Sequence, residues 1–191
     1  MDKFIIFAKL KTYMIMEKKL YPFKFVPVAS RRPWGGDALV NVMGKEFVEC
    51  DDDGNEVRLG ADVKIGESWE LADMGFVDSV VENGWLAGNT ISEIMETYLE
   101  RIVGENVYNW YGRQFPLLVK FLDVNGKTSV QVHPDDEYAL AKEGEYGKTE
   151  MWYVVDCEED AKLIYGFNQD ITQGEFLERI NSNNLSPVCN Y

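Results

Sequence analysis

The sequence of 191 residues holds a single histidine, His133, and three cysteines, Cys50, Cys157 and Cys189, with no CxxC pair. Odd in number and far apart, these cysteines fit neither a disulfide framework nor a thiolate zinc site. They read as reduced thiols of a cytoplasmic protein. Long apolar runs are also missing. The runs Phe4 to Ala8 and Tyr13 to Met16 are separated by Lys9 and Lys11 and are too short for a secretory core or a membrane span. Residues 1–20 are therefore expected to be an N-terminal extension of no evident role, with Met14 or Met16 as alternative starts. Positive charge is scarce: 19 Lys and Arg stand against 33 Asp and Glu, a net charge of −14. Such a surface repels phosphate backbones and anionic lipid, so neither nucleic acid nor a membrane is expected as a partner. A small phosphorylated ligand fits only where a few Lys or Arg gather against the global field.

What is present argues for a folded core. Hydrophobic residues make up 46% and aromatics 13%, well above the aromatic-poor composition of disordered chains. The length suits one domain.

From Tyr21 onward, short strand-like stretches alternate with turn signals. Pro22, Pro27 and Pro33 punctuate an extended entry, and Trp34-Gly35-Gly36 reads as a tight turn. Asn41 to Cys50 is read as a strand, followed by a turn at Asp51-Asp52-Asp53-Gly54-Asn55. Its glycine comes too early, and no closing Glu follows, for an EF-hand calcium loop, so the Asp cluster reads as a solvated turn. Val63 to Asp73 predicts a strand with Trp69 and Leu71 on one face and Ser68, Glu70 and Ala72 on the other. Val77 to Val81 adds a short strand. Ser92 to Val103 switches to helical spacing with Ser92 as N-cap. Pro116 to Val124 reads as a buried strand ending at Asn125-Gly126. Further strands are expected over Thr128 to His133, Thr149 to Val155 and Lys162 to Gly166. Helices are expected from Pro134 through Leu140 and from Thr172 to Ile180. Strands with inserted helices predict a mainly β fold, an antiparallel barrel or jelly roll.

The polar residues that carry chemistry lie on two of these strands. Alternation puts Ser129, Gln131 and His133 on one face and Val130 and Val132 on the other. Lys148, Glu150 and Trp152 likewise share a face, opposite Met151, Tyr153 and Val155. If the two strands are neighbours, an imidazole, a carboxylate and an amide oxygen converge, a donor set that suits zinc or another borderline divalent ion. Lys148 then brings positive charge to the mouth of that cavity. On spacing alone, a half-exposed strand with a surface ion pair explains the pattern equally well.

The segments SVQVHPDDEYA (Ser129 to Ala139) and GKTEMWYVV (Gly147 to Val155) closely resemble the two signature segments of type I mannose-6-phosphate isomerases. YPFKF from Tyr21, RPWGG from Arg32, GESWE from Gly66 and PLLVKFLD from Pro116 match that family in the same order, so the resemblance spans about residues 21 to 180. It implies a cupin-like jelly roll and a zinc site in which Gln131, His133 and Glu150 match three metal ligands. It implies a substrate pocket lined by Ser129, Lys120 and Lys148. The two lysines suit either a sugar phosphate or charge on an enediolate, and these are the expected catalytic groups. Trp34, Glu67 and Trp69 match pocket wall, although the two tryptophans suit core packing equally well. The implied reaction interconverts mannose 6-phosphate and fructose 6-phosphate through an enediol.

By that resemblance the family's fourth metal ligand is a second histidine far downstream of the glutamate, in further strands that also bring an arginine to the active site, and this sequence has no second histidine. Residues 21–191 are therefore expected to form the N-terminal portion of an isomerase catalytic domain, ending before the last metal ligand. Three ligands can hold zinc with water in the remaining position. An incomplete barrel leaves sheet edges unpaired, so self-association or marginal stability is expected. The alternative function is a noncatalytic cupin fragment that binds metal or sugar phosphate.

Overall fold

The structure is a computed structural model in which residues 18–191 are described. Residues 1–17, most of the expected N-terminal extension, lie outside the described residues. The chain divides into two compact units, Met1–Lys127 and Thr128–Tyr191.

The first unit is organised around a three-stranded antiparallel sheet. Its elements are β1 (Val28–Ser30), α1 (Ala38–Asn41), β2 (Val48–Cys50), β3 (Glu56–Arg58), β4 (Glu67–Leu71), α2 (Ile91–Tyr98), α3 (Glu100–Val103), α4 (Glu105–Tyr111) and β5 (Val119–Leu122). Strand β4 is central, between β1 and β5. Its register pairs Ser68 with Ala29 and Phe121, and Trp69 with Val28 and Lys120. One face of the sheet therefore carries Ala29 and Phe121, which pack on a core of Leu39, Phe47 and Ile65. The other face carries Glu67, Trp69 and Lys120. Burying each large apolar side chain of that core contributes about 1.5–3 kcal/mol, so packing rather than the short ladders holds the sheet. Strands β2 and β3 form a separate hairpin. Its turn is the expected solvated one: the Asp51 carboxylate accepts from the backbone N–H of Asn55 at 2.8 Å and of Asp53 at 3.0 Å.

A second core joins Val81, Leu86 and Ile94 to Leu20, Tyr21, Phe23, Phe25, Tyr98 and Ile102. Lys18 and Lys19 also contact this unit. The Lys18 ammonium stands over the Trp85 ring, and the Trp85 indole donates to the Lys19 carbonyl. Several expectations need correction here. Asn41 to Cys50 is a strand only from Val48, because its first residue closes α1. Val77 to Val81 makes isolated bridges and no strand. The helix expected from Ser92 is capped by Thr90, whose side chain and Glu93 form a reciprocal capping box. Ser92 instead donates its hydroxyl to Asp78. That helix breaks at Leu99 (φ 52°), so α3 is a separate turn. The strand expected to be buried over Pro116 to Val124 is the four-residue β5, partly exposed.

The second unit contains α5 (Asp136–Lys142) and α6 (Gln173–Asn181), capped by Asp135 and Thr172, so the helix expected from Pro134 through Leu140 starts and ends two residues later. The strands expected over Thr128 to His133, Thr149 to Val155 and Lys162 to Gly166 are not formed. The apolar side chains read on the opposite faces of these stretches are open to solvent: Val132 is 76%, Met151 92% and Tyr153 85% exposed. Alternation assigns faces, but a strand also needs a hydrogen-bonded neighbour and a covering layer, and the described residues supply neither. The fold is thus mainly small antiparallel sheets with helices, and the described residues form no closed barrel. No helix among them is long and apolar enough to cross a membrane.

Candidate active site

Two glutamates, one in each unit, gather most of the residues singled out in the sequence. In the first unit Glu67 is 5% exposed. Its Oε2 accepts from the Trp69 indole at 2.9 Å and from Arg32 Nη2 at 3.1 Å, and its Oε1 from Lys120 Nζ at 3.2 Å. Strand register explains the meeting. Trp69 lies two residues along the same face of β4, and Lys120 is directly opposite Trp69 on β5. Burial alone would raise the Glu67 pKa. The bonds from Trp69 and Arg32, with the charge and bond of Lys120, outweigh it and hold the carboxyl below the usual glutamate range. Gly66 makes room for this cluster. A Cβ there would lie 2.6 Å from Arg32 Cβ and 2.9 Å from the Trp34 ring. Trp34 is half-buried, and its carbonyl accepts from Asn125 N–H at 2.8 Å.

In the second unit, Glu150 Oε1 lies 2.8 Å from Lys148 Nζ and 3.4 Å from His133 Nε2. The Trp152 indole donates to Glu150 Oε2 at 3.4 Å. The hydrogen bond from Lys148 is the largest influence on this carboxyl. With the Lys148 charge, the Trp152 bond and His133, it overcomes partial desolvation and lowers the pKa. A glycine again permits the approach: Gly147 lies against the backbone of Pro134 to Asp136, where a Cβ would sit 2.5 Å from the Asp135 carbonyl carbon. Gly147 N–H donates to the Asp136 carboxylate at 2.9 Å, and Lys148 N–H to the Pro134 carbonyl at 3.2 Å. These bonds dock the segment carrying Glu150 beside the segment carrying His133. His133 also borders an open depression of about 590 Å³ lined by Val132, Pro134, Asp135, Tyr138 and Glu143.

Gln131 and Ser129 pair with each other, the amide nitrogen 2.9 Å from Ser129 Oγ. Among the described residues, no hydrogen bond or ion pair links them to His133 or Glu150. Among the described residues no three His, Cys, Asp or Glu side chains converge as a metal site. The pair that does meet suits zinc: two donors about 2.0–2.2 Å from a tetrahedral ion are about 3.3–3.6 Å apart, and His133 Nε2 and Glu150 Oε1 are 3.4 Å apart. With the nitrogen of Gln131 engaged by Ser129, its amide oxygen is the donor left over.

Arg32 is the residue that sequence reasoning missed. It stands 35 positions before Glu67, and only the β1–β4 pairing brings the two together. An arginine two residues before a Trp-Gly-Gly turn was the signal available.

Comparisons with known proteins identify the family of the chain. The family model "Phosphomannose isomerase type I, catalytic domain" matches residues 23–178. The chain is 39% identical over 163 residues to a probable mannose-6-phosphate isomerase, GmuF, of Bacillus subtilis, covering 85% of this chain and 46% of that protein. It is 41% identical over 148 residues to the mannose-6-phosphate isomerase ManA of Bacillus subtilis, covering 77% and 41%. A crystal structure of the mannose 6-phosphate isomerase from Bacillus subtilis superposes with a TM-score of 0.71 at 35% identity, over 88% of this chain and 48% of that one. The chain belongs to the type I phosphomannose isomerase family. It spans less than half the length of these curated relatives.

Proposed function

We propose that this chain takes part in mannose-6-phosphate isomerisation, with Gln131, His133 and Glu150 holding zinc. The observation that carries the proposal is the approach of His133 to Glu150 from two separate family segments, at a separation suited to a shared ion. Family membership supplies the substrate class: the relatives are named for mannose 6-phosphate. When bound, zinc would supply an electrophile that polarises the sugar carbonyl and offsets charge developing on the enediolate.

The chain's own groups have distinct parts in this reading. Lys148 and Lys120 offer cationic donors to the phosphate or to the enediolate oxygens, against a net charge of −14. Ser129 holds the Gln131 amide, which fixes which of its atoms is free. Trp34, Glu67 and Trp69 are the substrate-contacting groups of the first unit in this reading. No residue is assigned as the base that removes the carbon-bound proton. The cytoplasm is the proposed compartment, in keeping with free Cys50, Cys157 and Cys189. Self-association over the open edges of β1 and β5 belongs to the same reading, and a compact monomer in solution scattering would remove it.

The test is a coupled assay for conversion of mannose 6-phosphate to fructose 6-phosphate with zinc supplied. Turnover that disappears in Glu150→Ala is expected. Folded protein that neither turns over nor binds the sugar phosphate would contradict the proposal. Binding without turnover would favour the second reading, a noncatalytic module that binds metal or sugar phosphate.

A further inference from the structure

Glu67 is contacted by two cations, although one would neutralise it. They differ in kind and attachment. Arg32 donates to Oε2, the oxygen that also accepts from Trp69, whereas Lys120 alone holds Oε1. Arg32 is anchored at its backbone and the start of its stem, while its guanidinium end keeps contact with water. Its carbonyl accepts from Gly35 N–H at 2.9 Å, and its stem crosses Gly66, where no side chain would fit. A planar guanidinium and an indole are rigid donors, while an ammonium on a four-carbon stem is a mobile point charge. These are the charged groups that meet Glu67, one from the segment after β1 and one from β5.

We propose that Arg32, with Trp69, is a positioning residue that keeps Glu67 ionised and oriented by itself, leaving the Lys120 ammonium exchangeable. Lys120 can then leave Oε1 for an incoming anionic oxygen without stranding a buried carboxylate, which would be costly were it the only counter-ion. Without Arg32, Lys120 becomes that only counter-ion and is locked to Glu67. The benefit to catalysis rests on the isomerase reading above. The division of labour between the two cations does not.

The closing experiment therefore reads Glu67 directly. The carboxyl-carbon resonance of Glu67 is followed against pH by NMR in wild type, Lys120→Met, Arg32→Met and Arg32→Lys, with the β1–β4 amide resonances as the check on folding. The Glu67 midpoint is expected to move by less than about 0.5 pH unit in Lys120→Met and to rise by about 1 pH unit or more in Arg32→Met. The Trp69 indole proton should shift in Arg32→Met, and Arg32→Lys should recover part of the midpoint. An equal or larger rise in Lys120→Met would overturn the proposal. If Arg32→Met does not fold, Lys120→Met and Arg32→Lys decide alone: the proposal fails if Lys120→Met raises the midpoint more. Where the protein turns over, Arg32→Met should raise KM for mannose 6-phosphate several-fold more than it lowers kcat. Absent turnover with the expected titrations would sink the isomerase reading and leave this inference standing.

Discussion

Glu67 and Glu150 are the same local device built into two different settings. Each is followed two residues later by a tryptophan whose indole donates to Oε2, and each takes a lysine on Oε1. Glu67 sits in the central strand of a sheet, with its side chain 7% exposed and an arginine added. Glu150 sits in a segment with no strand partner, with its side chain 31% exposed and a histidine added. The indole bond is 2.9 Å in the paired strand and 3.4 Å in the segment that forms no strand. A ladder fixes a carboxylate and buries it, whereas the open segment leaves the Glu150 carboxylate in contact with solvent. The first setting suits a structural role, and the second suits the ligation proposed for Glu150.

Removing each carboxylate should separate these roles most. Glu67→Ala strands two cations, one of them partly buried. Its loss of stability to urea unfolding should be about 2–3 kcal/mol, below the 3–5 kcal/mol of a fully buried pair because Arg32 keeps water. Glu150→Ala should lose less than about 1 kcal/mol, as exposed ion pairs do. Similar losses in both would break the comparison.

The two glycines give a narrower test. Gly66→Ala and Gly147→Ala each force atoms closer than 3.0 Å, and overpacking of this kind costs about 1–3 kcal/mol. Gly147→Ala should abolish zinc uptake in calorimetry, because it separates the segments of His133 and Glu150. Gly66→Ala should leave uptake intact.

Acid should act on both carboxylates in one direction. Both pKa values are lowered in the fold, so each contributes stability above the unfolded value of about 4.3 that is lost as pH falls through the folded one. Stability should be flat with respect to these groups above about pH 5.5 and decline below about pH 4. Amide exchange should show the larger decline around β4. The smallest effect is expected at Lys148, which competes for Glu150 Oε1. Lys148→Met should tighten zinc binding several-fold, and weaker binding would mean that the lysine helps assemble the site.

These contrasts follow how far each feature was legible in the sequence. The Asp51 turn and the helix opening at Thr172 depend on residues a few positions apart, and both form as read, while the helix read from Pro134 through Leu140 is present but starts at Asp136, with Asp135 as its cap. Thr90 was legible too, since Glu93 stands three residues on, but the nearer Ser92 was read as the cap. The strands around His133 and Glu150 were read from alternation, which says nothing about a partner. Their meeting rests on Gly147 lying against Pro134 to Asp136, a close approach that no periodicity encodes. Arg32 was invisible for a related reason: its partner is reached only through sheet register.

The central claim, that His133 and Glu150 bind metal while Glu67 serves the fold and the substrate, is tested most directly by zinc calorimetry on wild type, His133→Ala and Glu67→Ala. The account predicts one zinc per chain, lost in His133→Ala and retained in folded Glu67→Ala. Uptake unchanged in His133→Ala, or lost only in Glu67→Ala, would contradict it.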